Sequence, residues 1–285
     1  MSMPGQLRPM ETEYQGSPEQ ARAVPISIIT VCFNAASTIE RTILSVLAQS
    51  YSPIEYIIVD GGSSDGTVDV IRRYEGRIAR WISEPDKGMY DAMNKGIAMS
   101  SGQYVGILNA DDWLEPDAIS AVAAAFVGSG CDYTFGDVYL ADEDGQRFGV
   151  MKAIPLEGAG RGYLYKMPFP HQTCYVSREM LKKVGMYSLK YRLSSDHDFV
   201  VRLVHCGARG FGLAEPIASY RMGGLGGGLL TFRESREIAV RHGMSRIEAT
   251  LRFWYSAVVI RLAASLPRPV VRTLLAVKRS RHVWY

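Results

Sequence analysis

The chain has 285 residues, 47% of them hydrophobic and 21% charged, with a formal net charge of +3. That balance suits a globular protein able to bury a full core, and it excludes a disordered chain or a disulfide-stapled miniature. Four cysteines, Cys32, Cys131, Cys174 and Cys206, stand far apart without metal-type spacing, so they read as free thiols of a reducing compartment.

The first 24 residues carry Pro, Gly, Gln and Glu instead of an apolar stretch. They read as a flexible arm (1–24), not a secretory signal. No segment approaches the roughly 20 uninterrupted apolar residues of a membrane span, which points to a cytoplasmic protein. The charge is uneven: residues 241 to 285 hold nine Lys/Arg and one acid, a net of +8, which leaves −5 on residues 1 to 240. A basic tail of this kind calls for an anionic partner.

Pro25 to Phe33 is a near-continuous apolar run and a predicted first strand. Ser37-Thr-Ile-Glu40 has capping-box spacing, with Ile39, Ile43, Val46 and Leu47 following at helical intervals. Glu55 to Val59 predicts a second strand that ends at Asp60-Gly-Gly-Ser-Ser-Asp-Gly66, followed by a helix over 67–74. Ile78 to Ile82 is a short third strand. Tyr90, Met93, Asn94 and Ile97 share one helix face. Tyr104 to Leu108 is a buried strand that stops at Asp111-Asp112, and Pro116 opens a helix to Phe126. Strand and helix alternate four times, which predicts an α/β fold with a mostly parallel sheet and its chemistry on the rim at the strands' carboxyl ends. Further on, Asp132 to Leu140 reads as strand, Asp142 to Gly145 as a hairpin turn, Thr173 to Val176 as strand, Ser177 to Val184 as a capped helix, and Ser194 to Val204 as a helix carrying Asp196, His197 and Asp198.

Several residues could carry chemistry, each with a plainer alternative. Asp60 and its glycines suit a nucleotide-binding turn or a simple βα turn in which Asp65 or Ser64 caps the next helix. Asp91, Asn94 and Lys95 present one helix face, as ligands or as a solvated salt bridge. Asp111 and Asp112 are oxygen ligands for Mg²⁺ or Mn²⁺, or a pair of helix-capping acids. Asp196 could be a general base or an N-cap. His171 and His197 could be polar contacts or satisfied core histidines.

Taken in order, these pieces resemble the family 2 glycosyltransferases of GT-A fold, over about Pro25 to Leu225. The resemblance rests on Ile26 to Asn34, Ser45 to Tyr51, Glu55 to Thr67, Glu84-Pro-Asp-Lys-Gly-Met-Tyr-Asp-Ala-Met-Asn-Lys-Gly96, Leu108-Asn-Ala-Asp-Asp112 and Ser195-Asp-His-Asp-Phe-Val-Val-Arg-Leu203. The block from Glu84 to Gly96 is similar to the subgroup that builds bacterial cell-surface polysaccharides and glycolipids. The resemblance implies an inverting enzyme using a nucleotide-sugar donor of UDP, GDP or dTDP type, Mn²⁺ or Mg²⁺, and a glycan or lipid-linked acceptor. Thr30, Asp60, Asp86 and Asn94 would meet the nucleotide, Asp111 the metal with Asp112 in support, and Asp196 would be the catalytic base. Two positions depart from the pattern. Asn109 stands where the first acid of D-x-D belongs, and Gly223-Gly-Leu-Gly226 lacks the serine of the family's Gly-Gly-aliphatic-Ser loop.

The implied organisation is a GT-A domain over 25–230 and a basic amphipathic helical region over 231–285. Rival readings are a sugar nucleotidyltransferase, which would show a basic Gly-rich loop that Phe33-Asn-Ala-Ala-Ser37 lacks, and a non-catalytic sugar- or lipid-binding module. The basic region is expected either to lie peripherally on the anionic inner face of the plasma membrane or to pack as a helix pair with a solvated face. Nucleic acid is not an expected partner.

Overall fold

A computed structural model describes residues 24–156, 160–223 and 228–264. The predicted α/β alternation is present: β1 (Ile26–Cys32), α1 (Ile39–Leu47), β2 (Ile54–Asp60), α2 (Thr67–Arg72), β3 (Arg80–Ser83), α3 (Met89–Met99), β4 (Tyr104–Asn109), β5 (Trp113–Leu114) and α4 (Ala118–Ser129). There follow β6 (Tyr133–Phe135), β7 (Val138–Ala141), β8 (Arg147–Met151), β9 (Val176–Ser177), α5 (Arg178–Val184), α6 (Ser195–His205), β10 (Gly210–Gly212), β11 (Ala218–Arg221), α7 (Leu229–Arg241) and α8 (Arg246–Ala264).

The main sheet has seven strands in the order β10-β6-β9-β4-β1-β2-β3, with β4, β1, β2 and β3 mutually parallel and the short β9 antiparallel to both neighbours. A second sheet runs β5-β11-β7-β8. Register fixes the rim: Cys32 pairs with Asp60, Asp60 with Ser83, and Val31 with Asn109. The strands' carboxyl ends therefore finish level, where ligands gather in open α/β sheets.

β1 is buried on both faces, as a near-continuous apolar run requires. Ile26 and Ile28 pack with Ile43, Ile71 and Val122 on the side of α1, α2 and α4, while Ile29 and Val31 pack with Tyr90, Met93 and Ile97 of α3. Each such side chain contributes roughly 1.5–3 kcal/mol. A third cluster joins Ile238, Ala239 and Ala249 of α7 and α8 to Leu164, Tyr191 and Val201, so both C-terminal helices are packed.

Some local expectations need correction. No capping box forms at α1: Thr38 holds the cap position without a side-chain cap bond, and Glu40 instead accepts from the Tyr74 hydroxyl and pairs with Arg73. The predicted strand over 132–140 is two strands in different sheets. The chain changes sheet at Gly136-Asp137, where Thr173 accepts the Gly136 N–H at 3.0 Å and Asp137 accepts the Ala153 N–H at 2.8 Å. The strand predicted over 173–176 begins only at Val176: Thr173 closes a 3₁₀ turn, His171–Thr173, in which its N and Oγ1 both bond back to the Pro170 carbonyl, and residues 174–175 are irregular. Ser177 does cap α5, accepting from Met180 N at 3.2 Å. The expected flexible arm, 1–24, lies outside the described residues except for Val24, as do most of the glycine loop (224–227) and the basic stretch 265–285.

One close approach ties the sheet to the loop bearing His171. Tyr175 lays its buried ring on Gly106 of β4, where a Cβ would come within 2.2 Å of the ring. We predict that Gly106→Ala costs about 1–3 kcal/mol, read as a lower urea midpoint with unchanged slope; an unaltered midpoint would contradict this packing.

Candidate functional site

Asp60, at the end of β2, is fully buried and fully engaged. It accepts from Gly62 N (3.1 Å), Ser63 N (2.9 Å), Ser63 Oγ, Ser83 Oγ (2.6 Å) and Cys32 Sγ (3.5 Å). Burial alone would raise its pKa, but the Ser63 and Ser83 hydrogen bonds outweigh it and hold the carboxyl below its ordinary value. The turn is braced from the first loop: Asn34 N donates to Ser63 Oγ, and Ser64 N to Asn34 Oδ1. Gly66 holds the cap position of α2 without a side-chain cap bond; Asp65 just before it accepts from Thr67 N and from Ala36 N and so ties the two loops together. Asp86 lies against Gly61, where any Cβ would meet its Oδ2 at 2.5 Å, and Phe33, 64% exposed, closes the same corner. Asp60, Asp86 and Phe33 thus share one slot at the rim.

Two of the expected nucleotide contacts are not at that slot. Thr30 is fully buried in mid-strand, and its hydroxyl accepts from Tyr56 at 3.1 Å. It sits two residues short of the rim and serves the core. Asn94 spends both ends of its amide on the Tyr187 backbone, donating to the carbonyl and accepting from the N–H, each at 2.9 Å. That pair pins the segment between α5 and α6.

Beyond β4 the chain turns through Asp111 and Asp112, which take different places. Asp112 is 0% exposed; its Oδ2 accepts from Gln172 Nε2 at 2.7 Å and its Oδ1 from Arg221 N at 3.0 Å. Burial first, and the Asp111 charge second, push its pKa well up. Asp111 is half-buried and accepts no side-chain bond from another described residue. It opens on a cavity of about 130 Å³ beside Arg41, Trp113 and Arg221. Burial raises its pKa, against the pull of Arg221 and His171.

His171 links this turn to α6. Its Nε2 lies 3.2 Å from Asn109 Nδ2, and its Nδ1 lies 3.8 Å from Asp196 Oδ2. Burial lowers its pKa, opposed by Asp196 and Asp111, which favours a neutral ring. Asp196, in the first turn of α6, accepts on Oδ1 from the Tyr90 hydroxyl and from His197 N, both at 2.9 Å. Asp198 differs in kind: it is buried and bound to His242 at 3.0 Å and Arg202 at 2.8 Å. Burial would raise its pKa, but the His242 and Arg202 contacts outweigh it and lower it. His197 donates from Nε2 to the Tyr163 carbonyl, and burial lowers its pKa as well.

The structure therefore gathers Asn109, Asp111, Asp112 and Asp196 around His171 and Gln172, with Asp60 and Asp86 along the same rim. Residues not singled out beforehand are Tyr90, Gln172, Arg221 and Phe33. A buried tyrosine needs a partner for its hydroxyl, so the polar neighbourhood of Tyr90 was the one available signal for it.

The family model for glycosyl transferase family 2 matches residues 27–185. The chain belongs to this family. It is an enzyme that moves a sugar from a nucleotide-sugar donor to an acceptor, which sets aside the nucleotidyltransferase and binding-module readings. An uncharacterized glycosyltransferase of Mycobacterium tuberculosis is 36% identical over 185 residues, covering 63% of this chain and 69% of its own. A PGL/p-HBAD biosynthesis glycosyltransferase of Mycobacterium bovis is 31% identical over 182 residues, covering 62% and 68%. Among solved structures, the Pyrobaculum calidifontis mannosyltransferase in complex with GDP-Man and Mn²⁺ superposes with a TM-score of 0.63 at 15% identity, covering 96% of this chain and 85% of that one. S. aureus TarS gives 0.62 at 16%, covering 79% of this chain and 41% of its own length. At such identities these two support the GT-A fold alone.

Asp112 yields a test. In Asp112→Asn only one oxygen remains to accept, so either the Arg221 N–H loses its acceptor or the buried Gln172 amide must turn its oxygen toward the new N–H₂. An unsatisfied buried pair costs about 1–3 kcal/mol. We expect a lower melting temperature by scanning calorimetry together with reduced turnover; wild-type stability would show that the carboxylate does not hold these segments.

Proposed function

We propose that this glycosyltransferase inverts the anomeric centre of its donor by direct displacement, with Asp196 as the catalytic base. The supporting observation is the placement of Asp196. It sits at the start of a helix, fixed on one oxygen by Tyr90, with its other oxygen free of any bond shorter than 3.8 Å and separated only by His171 from Asn109 and the Asp111 turn. In the proposed step Asp196 Oδ2 takes the proton of an acceptor hydroxyl. The acceptor oxygen forms the new bond to the anomeric carbon as the carbon–oxygen bond to the nucleoside diphosphate breaks. A positioned base of this kind contributes about 10²- to 10⁴-fold. Burial disfavours an imidazolium at His171, which would otherwise compete for the carboxylate's charge.

The turn residues fit a hard divalent cation, Mn²⁺ or Mg²⁺. Asp111 is a carboxylate without a donor from another described residue, and Asn109 Oδ1 is buried with no partner. Both are oxygen ligands of the type such ions prefer. The described residues contain no group of three or more His, Cys, Asp or Glu able to hold a metal; donor phosphates would have to complete the coordination. Bound there, the ion would act as a Lewis acid for the leaving diphosphate. Asp112 supports Asp111, while Asp86, the Asp60 turn and the face of Phe33 receive the nucleotide. We assign Thr30 and Asn94 to the scaffold.

The donor is of UDP, GDP or dTDP type, and the acceptor a glycan or lipid-linked glycan of a cell-surface polysaccharide or glycolipid. The mycobacterial relatives support that acceptor class. The domain boundaries we propose are 25–230 for the catalytic unit and 231–285 for the basic helical region. The enzyme would work at the cytoplasmic side of the membrane; among the described residues no helix is long and apolar enough to cross one.

Two paired tests follow. Asp196→Asn should lose at least about 10²-fold in kcat while keeping donor affinity and melting temperature. Asp198→Asn strands Arg202 and His242 and should lose about 3–5 kcal/mol of stability. Because the Asp198 carboxyl titrates below its ordinary value, this stability is complete above about pH 4 and fades as pH falls through the lowered value. Near-normal turnover in Asp196→Asn would refute the base. EDTA should abolish transfer and Mn²⁺ restore it, and a panel of UDP, GDP and dTDP sugars should raise the melting temperature with Mn²⁺ for one base only. Full transfer in chelator would remove the Asp111 role.

A further inference from the structure

α8 is apolar on two opposite sides. Ala249, Ser256 and Ala257 are buried, Ala249 within the cluster shared with α7. On the far side Ile247, Leu251, Trp254, Val258 and Leu262 follow one another at three- and four-residue steps, with Tyr255 beside them, and all six are between 50% and 76% exposed. Such spacing makes a single stripe along one helix face. Contiguous exposed patches of this sort mark contact surfaces.

The stripe runs into a cationic groove. Between α7 and α8 lies a groove of about 840 Å³ whose walls carry Arg233, Arg236, Arg241 and Arg246, and Trp254 belongs to both groove and stripe. Arg236 Nε donates to Thr250 Oγ1 at 3.0 Å, joining the two helices across it. The one acid in the walls, Glu237, is paired with Lys190, and Glu248 of α8 is paired with Arg252. Among the described residues none of the four groove arginines forms a salt bridge. The groove thus holds four guanidinium groups and one acid, Glu237, whose ion pair is with Lys190 and not with any of the four.

We propose that this surface docks on an anionic phospholipid bilayer, with acidic headgroup phosphates in the arginine groove and the α8 stripe lying among the upper acyl chains. Charge decides the occupant. A second copy would bring one four-arginine groove against another. Residues 265–285 carry five Lys/Arg and no acid, so they cannot neutralise the groove either. Guanidinium forks match phosphate oxygens, and a helix with an apolar face bordered by arginines lies in the interface plane. The proposal stands on the chemistry of this surface alone, independent of sugar transfer.

The test uses the full chain and vesicles of phosphatidylcholine, alone or with roughly a third phosphatidylglycerol. Co-sedimentation should be strong with phosphatidylglycerol, weak without it, and reduced by added salt. Leu251→Ser/Trp254→Ser and Arg233→Gln/Arg246→Gln should each weaken it by about tenfold or more at unchanged melting temperature. Ile247→Ser, a single change at the most exposed stripe position, repeats the test if the serine pair lowers that temperature. Failure of the intact chain to bind phosphatidylglycerol vesicles, or binding indifferent to all variants, would overturn the proposal. So would vesicle-free self-association that Leu251→Ser/Trp254→Ser abolishes, since the stripe would then belong to a second copy. Donor-induced melting shifts, measured on the same variants, should be unaffected, which separates this surface from the transfer site.

Discussion

The Asp112 carboxylate is the constraint on which the site depends. It is removed from water at the end of a buried strand, and a lone charge there is untenable without donors. Both of its oxygens are answered, by Gln172 and by the Arg221 backbone. Those donors come from segments 60 and 109 residues away in sequence. Satisfying one buried acid therefore draws the 171–173 turn and the end of β11 onto the rim of β4. The carbonyl of Asp112 also accepts from Thr42 at 2.6 Å, which brings in α1. Its neighbour Asp111 accepts no side-chain bond from another described residue, because Asp112 absorbs the scaffolding role. An adjacent acid pair thus divides into a structural carboxylate and a free one.

The same economy shapes α6. Asp196 and Asp198 are both in its first turn, yet they lie on different sides of the helix. Asp198 spends its charge inside the protein on Arg202 and His242. Asp196 keeps one oxygen available and borrows rigidity from Tyr90. His171, neutral through burial, sits between this carboxylate and the Asn109 amide. An imidazolium there would pair with Asp196; burial opposes that charge, and the ring stays beyond hydrogen-bond distance of the carboxylate. Asn109, in place of the family's acid, fits this arrangement, since a third carboxylate beside Asp111 and Asp112 would raise an already unfavourable concentration of negative charge.

Much of this was legible in the sequence, for identifiable reasons. Strands β1, β2 and β4 are short apolar runs bounded by turn chemistry, and their polar ends mark the rim directly. Asp60 and Asp111 follow from that rule, whereas Asp86, beyond β3, and Asp196, in the first turn of α6, stand at no strand end of this kind. Thr30 was misplaced because a position on a strand that is buried on both faces gives no sign of how far it stands from the rim; only register shows that Asp60 pairs with Cys32 and not with Thr30. Asn94 was misplaced because an amide on a helix face looks the same whether it meets a ligand or a backbone, and its partner, Tyr187, is 93 residues away. The break at Gly136-Asp137 was illegible because 132–140 has unbroken strand character, and the change of sheet is imposed by Thr173 and Ala153 through tertiary hydrogen bonds. Tyr90 fits the core in any periodicity analysis, while its hydroxyl has a second use.

The C-terminal helices are mechanically joined to this centre. Asp198, two residues from the proposed base, bonds His242 at the end of α7, and Val201 of α6 packs with Ile238 and Ala239. Rotation of α7 against α6 would have to break a buried, charge-assisted contact and open an apolar cluster together. An acceptor approaching from a surface engaged by α7 and α8 would therefore meet Asp196 in a fixed orientation. Reaching the transition state depends on such orientation as much as on proton affinity. α8 packs through one face and carries its exposed apolar stripe on the other, and the Asp198–His242 contact with the Val201–Ile238 packing holds that face in one orientation relative to Asp196.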